Sequence, residues 1–318
     1  MTRTPIPVVL DVDTGVDDAL ALMLAVRHPA LDVRAVTCVA GNASLEQVVD
    51  NTLAVLELSG AGPVPVAAGM STPLVEPARS AGHVHGGNGL ADLARPAHGR
   101  RVEPVHAVEL LRATLEATSE AVTLIALAPL TNIAVLLRMY PRLAERIAGI
   151  TMMGGAIFVG NATPSAEFNV WHDPEAAEIV LGCGLPVTMY GLEPFRRVTC
   201  DADDIARLRA AGDPLRRAAG DLLAHLDGVT GEDASGGRVV GIGDAGAVCA
   251  VIDPEGVTRR RAPVSVSLAP GITRGRTVVD LRTSTDTARP AEEPDGPVEV
   301  VTDVDGARYR RLFLEALA

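Results

Sequence analysis

The stretch Val8-Val9-Leu10-Asp11-Val12-Asp13-Thr14-Gly15-Val16-Asp17-Asp18-Ala19-Leu20 decides how the chain is read. Val8 to Leu10 is an apolar run of the kind a buried parallel strand carries, and the pattern Ala19, Leu20, Leu22, Met23, Leu24 starts a helix directly after it. Between strand and helix, four carboxylates fall within eight positions, Asp11 to Asp18. Like charges this close repel, and they are relieved by sharing protons or by gathering around a cation. Hard carboxylate oxygens on a tight turn suit Ca²⁺ or Mg²⁺, whereas Zn²⁺ prefers nitrogen and sulfur. The plainer alternative has Asp11 and Asp13 capping a turn while Asp17 and Asp18 complement the start of a helix.

Outward from this stretch, the composition narrows the class. A chain of 318 residues with 47% hydrophobic content can bury a large core. The net charge of −12, with no long basic run, argues against nucleic acid as a partner and favours a small neutral or cationic substrate. All 28 residues counted as Lys or Arg are arginine, which excludes Schiff-base lysine chemistry and the lysine of a phosphate-binding P-loop. Cys38, Cys183, Cys200 and Cys249 have no metal-site or redox spacing and read as reduced core residues. No apolar stretch is long enough to span a bilayer, and Met1 to Pro5 lead into the first strand without the apolar segment of a secretion signal. The expected compartment is the cytoplasm, with no membrane partner.

Along the chain, strand and helix patterns alternate. Strands are expected at Val33–Val39, Val64–Ala67, Val122–Leu127, Ile150–Met153 and Pro186–Tyr190, and near the end at Val298–Thr302. Helices are expected after Ser44, from about Pro104 to Ala117, after Asn132, from Pro174, twice between Asp203 and Leu226, over Ala245–Ile252, and after Asp305. Pro263–Leu268 and Thr277–Leu281 read as an antiparallel pair, residues 228–243 as a mobile lid, and residues 283–297 as a surface loop. The expected fold is α/β: one domain over residues 1–318, an open and mainly parallel sheet with helices on both faces, plus a small antiparallel C-terminal addition. Ligands gather beyond the carboxyl ends of the strands in such sheets, which is where Asp13, Asn42, Leu127, the Asn161–Asn169 loop and Asp244 belong.

An ordered series of motifs then resembles the inosine/uridine-preferring nucleoside hydrolases. It runs from Asp11-x-Asp13-x-Gly15-x-Asp17-Asp18 through Gly41-Asn42, His85-Gly86, Pro129-Leu130-Thr131-Asn132 and Met153-Gly154-Gly155-Ala156. It continues with Glu167-Phe168-Asn169, Asp173-Pro174-Glu175-Ala176-Ala177, Asp244, and Arg274-Gly275 with Val278-Val279-Asp280. The resemblance implies a Rossmann-like enzyme that hydrolyses the N-glycosidic bond of a ribonucleoside and takes part in nucleoside salvage, usually as a homodimer or homotetramer. It implies Ca²⁺ held by Asp13, by Asp18 through both oxygens, by the Leu127 carbonyl and by Asp244, with a water and two ribose hydroxyls completing the shell. By the same resemblance Asp13 activates that water, Asp17 and Asn42 reach the ribose 2′ side, Asn169 the 3′ hydroxyl, Asn161 with Glu167 the 5′ hydroxyl, and His85 lies near the base.

Two segments depart from the family pattern. The acidic residue near the C-terminal end usually follows a histidine that protonates the departing base, and here Gly243 precedes Asp244, which leaves that proton to His85, His225 or water. At Gly191-Leu192-Glu193-Pro194-Phe195 the family more often has Asp followed by Val and Thr; Phe195 reads as core packing, with an added aromatic near the base as the alternative, and Trp171 and Phe168 as supports of their loop. Two rivals remain at this level. A phosphatase of the haloacid dehalogenase type would use Asp11 as nucleophile and Asp13 as acid, but it wants a lysine that this chain lacks. A nucleoside-binding protein without catalysis would fit the loss of the histidine.

Overall fold

The computed structural model describes residues 4–93, 97–230, 239–282 and 298–318. Twelve strands lie among them: β1 Ile6–Val12, β2 Leu31–Cys38, β3 Val66–Ala68, β4 Val122–Ala126, β5 Ile147–Met153, β6 Val187–Tyr190, β7 Thr199–Asp201, β8 Val239–Gly241, β9 Val257–Ala262, β10 Val264–Val266, β11 Thr277–Val279 and β12 Val298–Val304. Strand β1 is central because its apolar side chains serve both faces. Val8, Leu10 and Val12 belong to a core shared with the helices Val16–Arg27, Leu45–Leu58, Ala245–Ile252 and Gly306–Ala316. Val9, on the opposite face, joins a second core with the helices Ala107–Ala117, Thr131–Met139 and Pro174–Leu181. This two-residue alternation places helices on both sides of one sheet.

The main sheet has the order β3-β2-β1-β4-β5-β6-β12-β9. From β3 to β12 every pairing is parallel, and β9 closes the edge antiparallel to β12. The order reverses between β1 and β4, and the crevice beyond the carboxyl ends of those two strands is where such sheets bind ligands. The mainly parallel, doubly wound architecture is as expected, and so is the antiparallel pair β10–β11.

Boundaries differ where local chemistry is decisive. The helix expected from Pro104 begins at Ala107, because the His106 side chain accepts from the Val108 amide and caps it there. The polar 160–173 segment contains the short helix Phe168–His172, started by the Glu167 carboxylate. Strand β9 escaped notice because Arg259, Arg260 and Arg261 interrupt its alternation on a sheet edge. The expected lid at 228–243 lies partly outside the described residues; its described ends are the helix Pro214–Thr230 and β8, which pairs with β7. The expected loop 283–297 lies outside them entirely.

One side chain ties β1 and β2 to the segment after β3 beneath the crevice. Asn132, fully buried, donates from Nδ2 to Asp11 Oδ1 at 2.8 Å and to the Cys38 carbonyl at 3.0 Å, while its Oδ1 accepts from the Met70 amide at 2.9 Å. Asn132→Ala leaves these groups unpaired in a dry interior, and a loss of about 2 to 4 kcal/mol is expected by urea unfolding. A change below about 0.5 kcal/mol, the range of ordinary surface substitutions, contradicts the clamp.

Candidate active site

Two helix N-termini build the acidic centre. The helix Val16–Arg27 carries Asp17 and Asp18 in its first turn, and the helix Ala245–Ile252, which follows Asp244, packs against it. Asp18 is held inward: Oδ2 accepts from the Gly15 amide at 2.9 Å and Oδ1 from the Asp13 amide at 3.3 Å. Asp244 does not use its carboxylate to cap its own helix. One oxygen each of Asp17, Asp18 and Asp244 lie within 4.8 Å of one another, a spacing able to hold a metal ion. Asp17 Oδ1 is buried without a hydrogen-bond partner, so this centre presents unused acceptor capacity as well as like charge.

The electrostatics follow from that crowding. Burial and then repulsion from Asp18 push the Asp13 carboxyl well above its ordinary range. Burial and repulsion from Asp17 raise Asp18 to about 7. Asp244 is driven up by burial and then by Asp17, Asp18, Asp13 and Glu167. Helix N-termini and amide donors oppose this only in part.

The trio with metal-holding spacing is Asp17, Asp18 and Asp244, whereas the family resemblance implies Asp13, Asp18 and Asp244. Asp13 stands immediately behind, its carboxylate occupied by Asn42: the Asn42 amide donates to Oδ2 at 2.7 Å, and Nδ2 donates to Oδ1 at 3.2 Å. The same Nδ2 reaches Asp18 Oδ2 at 3.1 Å, so Asn42 bridges two carboxylates. A Cβ on Gly41 would lie 2.0 Å from Asp13 Oδ2, which is why the residue before Asn42 must lack a side chain.

A cavity of about 620 Å³ opens in front of this centre. Asp17, Asn42, Leu127 and Asp244 line it, as do His85, Asn161, Glu167 and Asn169. Asp13 and Asp18 are not on its surface. Asn169 Nδ2 donates to the Leu127 carbonyl at 2.9 Å and to the Met153 carbonyl at 3.1 Å, linking the ends of β4 and β5. Glu167 accepts from the amides of Gly155, Asn169 and Val170, and burial lifts its carboxyl to about 7. Asn161 is exposed and accepts from the Phe168 amide at 2.9 Å. His85 Nδ1 accepts from the Val16 amide at 3.1 Å, and burial holds its pKa below the ordinary value, so the ring is neutral with its proton on Nε2.

Some expectations change. Phe195 is half-buried and, besides packing on the core, faces the cavity; Phe168 lines it too. Trp171 supports its loop as expected, with the Arg79 guanidinium 4.0 Å above its ring. His225 points to the Val84 carbonyl at 2.9 Å and does not line the cavity. Arg196, Thr199 and Leu226 line the wall without having been singled out; the only signal was the departure around Glu193 to Phe195. Asp11, the nucleophile of the phosphatase alternative, is buried beside Thr37 and Asn132 and is absent from the cavity.

A doubly wound sheet with an acidic, amide-lined cavity at its β1–β4 switch point defines an α/β protein with a small-molecule site. Residues 8–311 match the model of the inosine-uridine preferring nucleoside hydrolases, and the chain belongs to that family. It is 38% identical over 313 residues to the pyrimidine-specific ribonucleoside hydrolase RihA of Citrobacter koseri, covering 98% of each chain. Among solved structures it resembles the plant nucleoside hydrolase PpNRh1, with a TM-score of 0.88 at 30% identity over 98% of this chain and 99% of that one. It also resembles the purine-preferring ribonucleoside hydrolase from Gardnerella vaginalis, with a TM-score of 0.85 at 29% identity over 98% of each. The protein is a ribonucleoside hydrolase that cleaves N-glycosidic bonds. No described helix is long and apolar enough to cross a membrane.

The raised Glu167 carboxyl has a measurable consequence. Between its ordinary value of 4.5 and about 7 the folded chain keeps a proton that the unfolded chain releases, so this contribution to stability is complete below that window and fades as pH rises through it. With chelator present, wild-type stability is expected to fall more steeply from pH 4.5 to 7 than that of Glu167→Gln. Parallel urea-unfolding curves across that range would contradict it.

Proposed function

We propose that the chain hydrolyses pyrimidine ribonucleosides to ribose and free base at a Ca²⁺ site formed by Asp13, Asp18, the Leu127 carbonyl and Asp244. The observation that carries this reading is the trio Asp17, Asp18 and Asp244, with one oxygen of each within 4.8 Å of the others, beside a switch-point cavity that Asp17 and Asp244 line. The donor set fits a hard cation: all its atoms are oxygens, the adjoining Asp17 Oδ1 is unpartnered, and burial with mutual repulsion makes the ionised cluster costly without added positive charge. When bound, the ion supplies charge that grips the ribose diol and lowers the pKa of a neighbouring water.

Asp13 is the proton acceptor for the attacking water. It is fully buried, and Asn42 fixes both of its oxygens, so it needs little reorganisation. Asp17, with its free oxygen, and Asn42 serve the 2′ side of the ribose, and Asn169, already anchored on two strand-end carbonyls, serves the 3′ hydroxyl. Asn161 and Glu167 hold the 5′ hydroxyl, and neutral His85 donates from Nε2 on the base side. The ribosyl cation that forms as C1′ loses the base is stabilised by the surrounding carboxylates.

The 38% identity to a pyrimidine-specific relative supports pyrimidine substrates. Four unpaired cysteines support a cytoplasmic salvage enzyme, as one catalytic unit per chain in a homodimer or homotetramer. The test is a reducing-sugar assay with uridine, cytidine and inosine. Ribose release is expected to stop with chelator, return with Ca²⁺, and fall by about 10²- to 10⁴-fold in Asp13→Ala, the usual loss for a general base. Undiminished release from Asp13→Ala, or nucleoside binding without any ribose, contradicts the reading.

A further inference from the structure

Gly243 occupies the position where the family pattern has a base-protonating histidine, and its geometry excludes any side chain. Its φ is +57°, and a Cβ built there would lie 2.4 Å from Asp17 Cβ. The departing base is therefore left to other groups that line the cavity, among them those on the wall that carries Gly243. That wall is assembled by the segment after helix Leu192–Phe195: the Ile242 amide donates to the Val198 carbonyl at 3.0 Å, and β7 pairs with β8 shortly before Gly243. Arg196 projects from this segment into the cavity wall, with Nη2 donating to the Gly160 carbonyl at 3.3 Å. Among the described residues that line the cavity, Arg196 is the only one with a permanent positive charge. His85 offers only a neutral Nε2–H donor there, its Nδ1 being engaged with the Val16 amide beside Asp17.

Resting on the hydrolase reading of this same site, we propose that Arg196 contacts the departing base and stabilises it as an anion. The C1′–N1 bond breaks with its electron pair staying on the base, where it spreads onto the ring carbonyl oxygens that accept guanidinium N–H donors. Arg196 keeps its proton. The attacking water gives one proton to Asp13, which passes it to solvent, and solvent protonates the released base. Water adds across the bond, and no further reactant is required. This chemistry favours bases whose anions rest on carbonyl oxygens, uracil above all, over cytosine and adenine, whose departure benefits from protonation of a ring nitrogen.

The test compares uridine with 4-nitrophenyl β-D-ribofuranoside, whose phenolate leaves without assistance, in wild type, Arg196→Gln, Arg196→Lys and Asp13→Ala. In Arg196→Gln, kcat/KM for uridine is expected to fall about 10²-fold, as when one preorganised donor to a developing anion is removed. The nitrophenyl riboside is expected to change by less than about threefold, since ribose binding and water activation are intact, and Arg196→Lys to recover part of the uridine rate. Asp13→Ala lowers both substrates, which marks the hydrolytic site independently. An equal fall on both substrates in Arg196→Gln, or an unchanged uridine rate, overturns the assignment while leaving the hydrolase reading in place. A wild type that releases ribose from neither substrate overturns both.

Discussion

Buried negative charge in excess of its partners is the constraint on which the rest of this structure depends. Asp13, Asp18 and Asp244 are almost wholly removed from solvent, and Asp17 stands beside them with one oxygen unpaired. Desolvation alone makes such carboxylates expensive to ionise, and their mutual repulsion adds to it. The fold offers partial relief through the amides of Gly15, Asp13 and Asn42, the bridging Asn42 side chain, and two helix N-termini aimed at one point. What it withholds is any arginine among these contacts, although the chain has 28 arginines. The missing charge is the opening for a cation.

The rest of the architecture serves to hold that arrangement still. Strand β1 delivers Asp13 at the switch point, where β4 ends beside Leu127, and Asn132 fastens β1 to β2 and to the segment after β3 from beneath. The close approach of Gly41 to Asp13 and of Gly243 to Asp17 removes the side chains that would force the carboxylates apart. Asn169 and Glu167 fix the far side through the ends of β4 and β5. Groups set in advance in this way need little reorganisation when substrate charge develops.

Much of this was legible in the order of residues. The apolar run before Asp11 and the spacing after Asp18 announce the strand, the turn and the helix, because a parallel strand buried on both faces has to be continuously apolar. The residues expected at the site converge, since strand ends and helix starts in a doubly wound sheet collect on one side. Less legible was what depends on three-dimensional proximity. Asp17 joins Asp18 and Asp244 only because two helices separated by more than half the chain pack together. Phe195 and Arg196 reach the cavity through a three-residue pairing of β7 with β8, too short to leave a periodic trace. The arginine-rich β9 hides its alternation because an edge strand faces water.

Calorimetric titration of Ca²⁺ into chelator-treated protein near pH 6 tests the central claim most directly. The account predicts one ion per chain, bound with release of protons, because the folded carboxyls titrate far above their ordinary range until a cation displaces their protons. Asp18→Asn and Asp244→Asn should each abolish that binding while leaving a folded chain. Absence of calcium binding in the wild type, or binding that survives both substitutions, would contradict it.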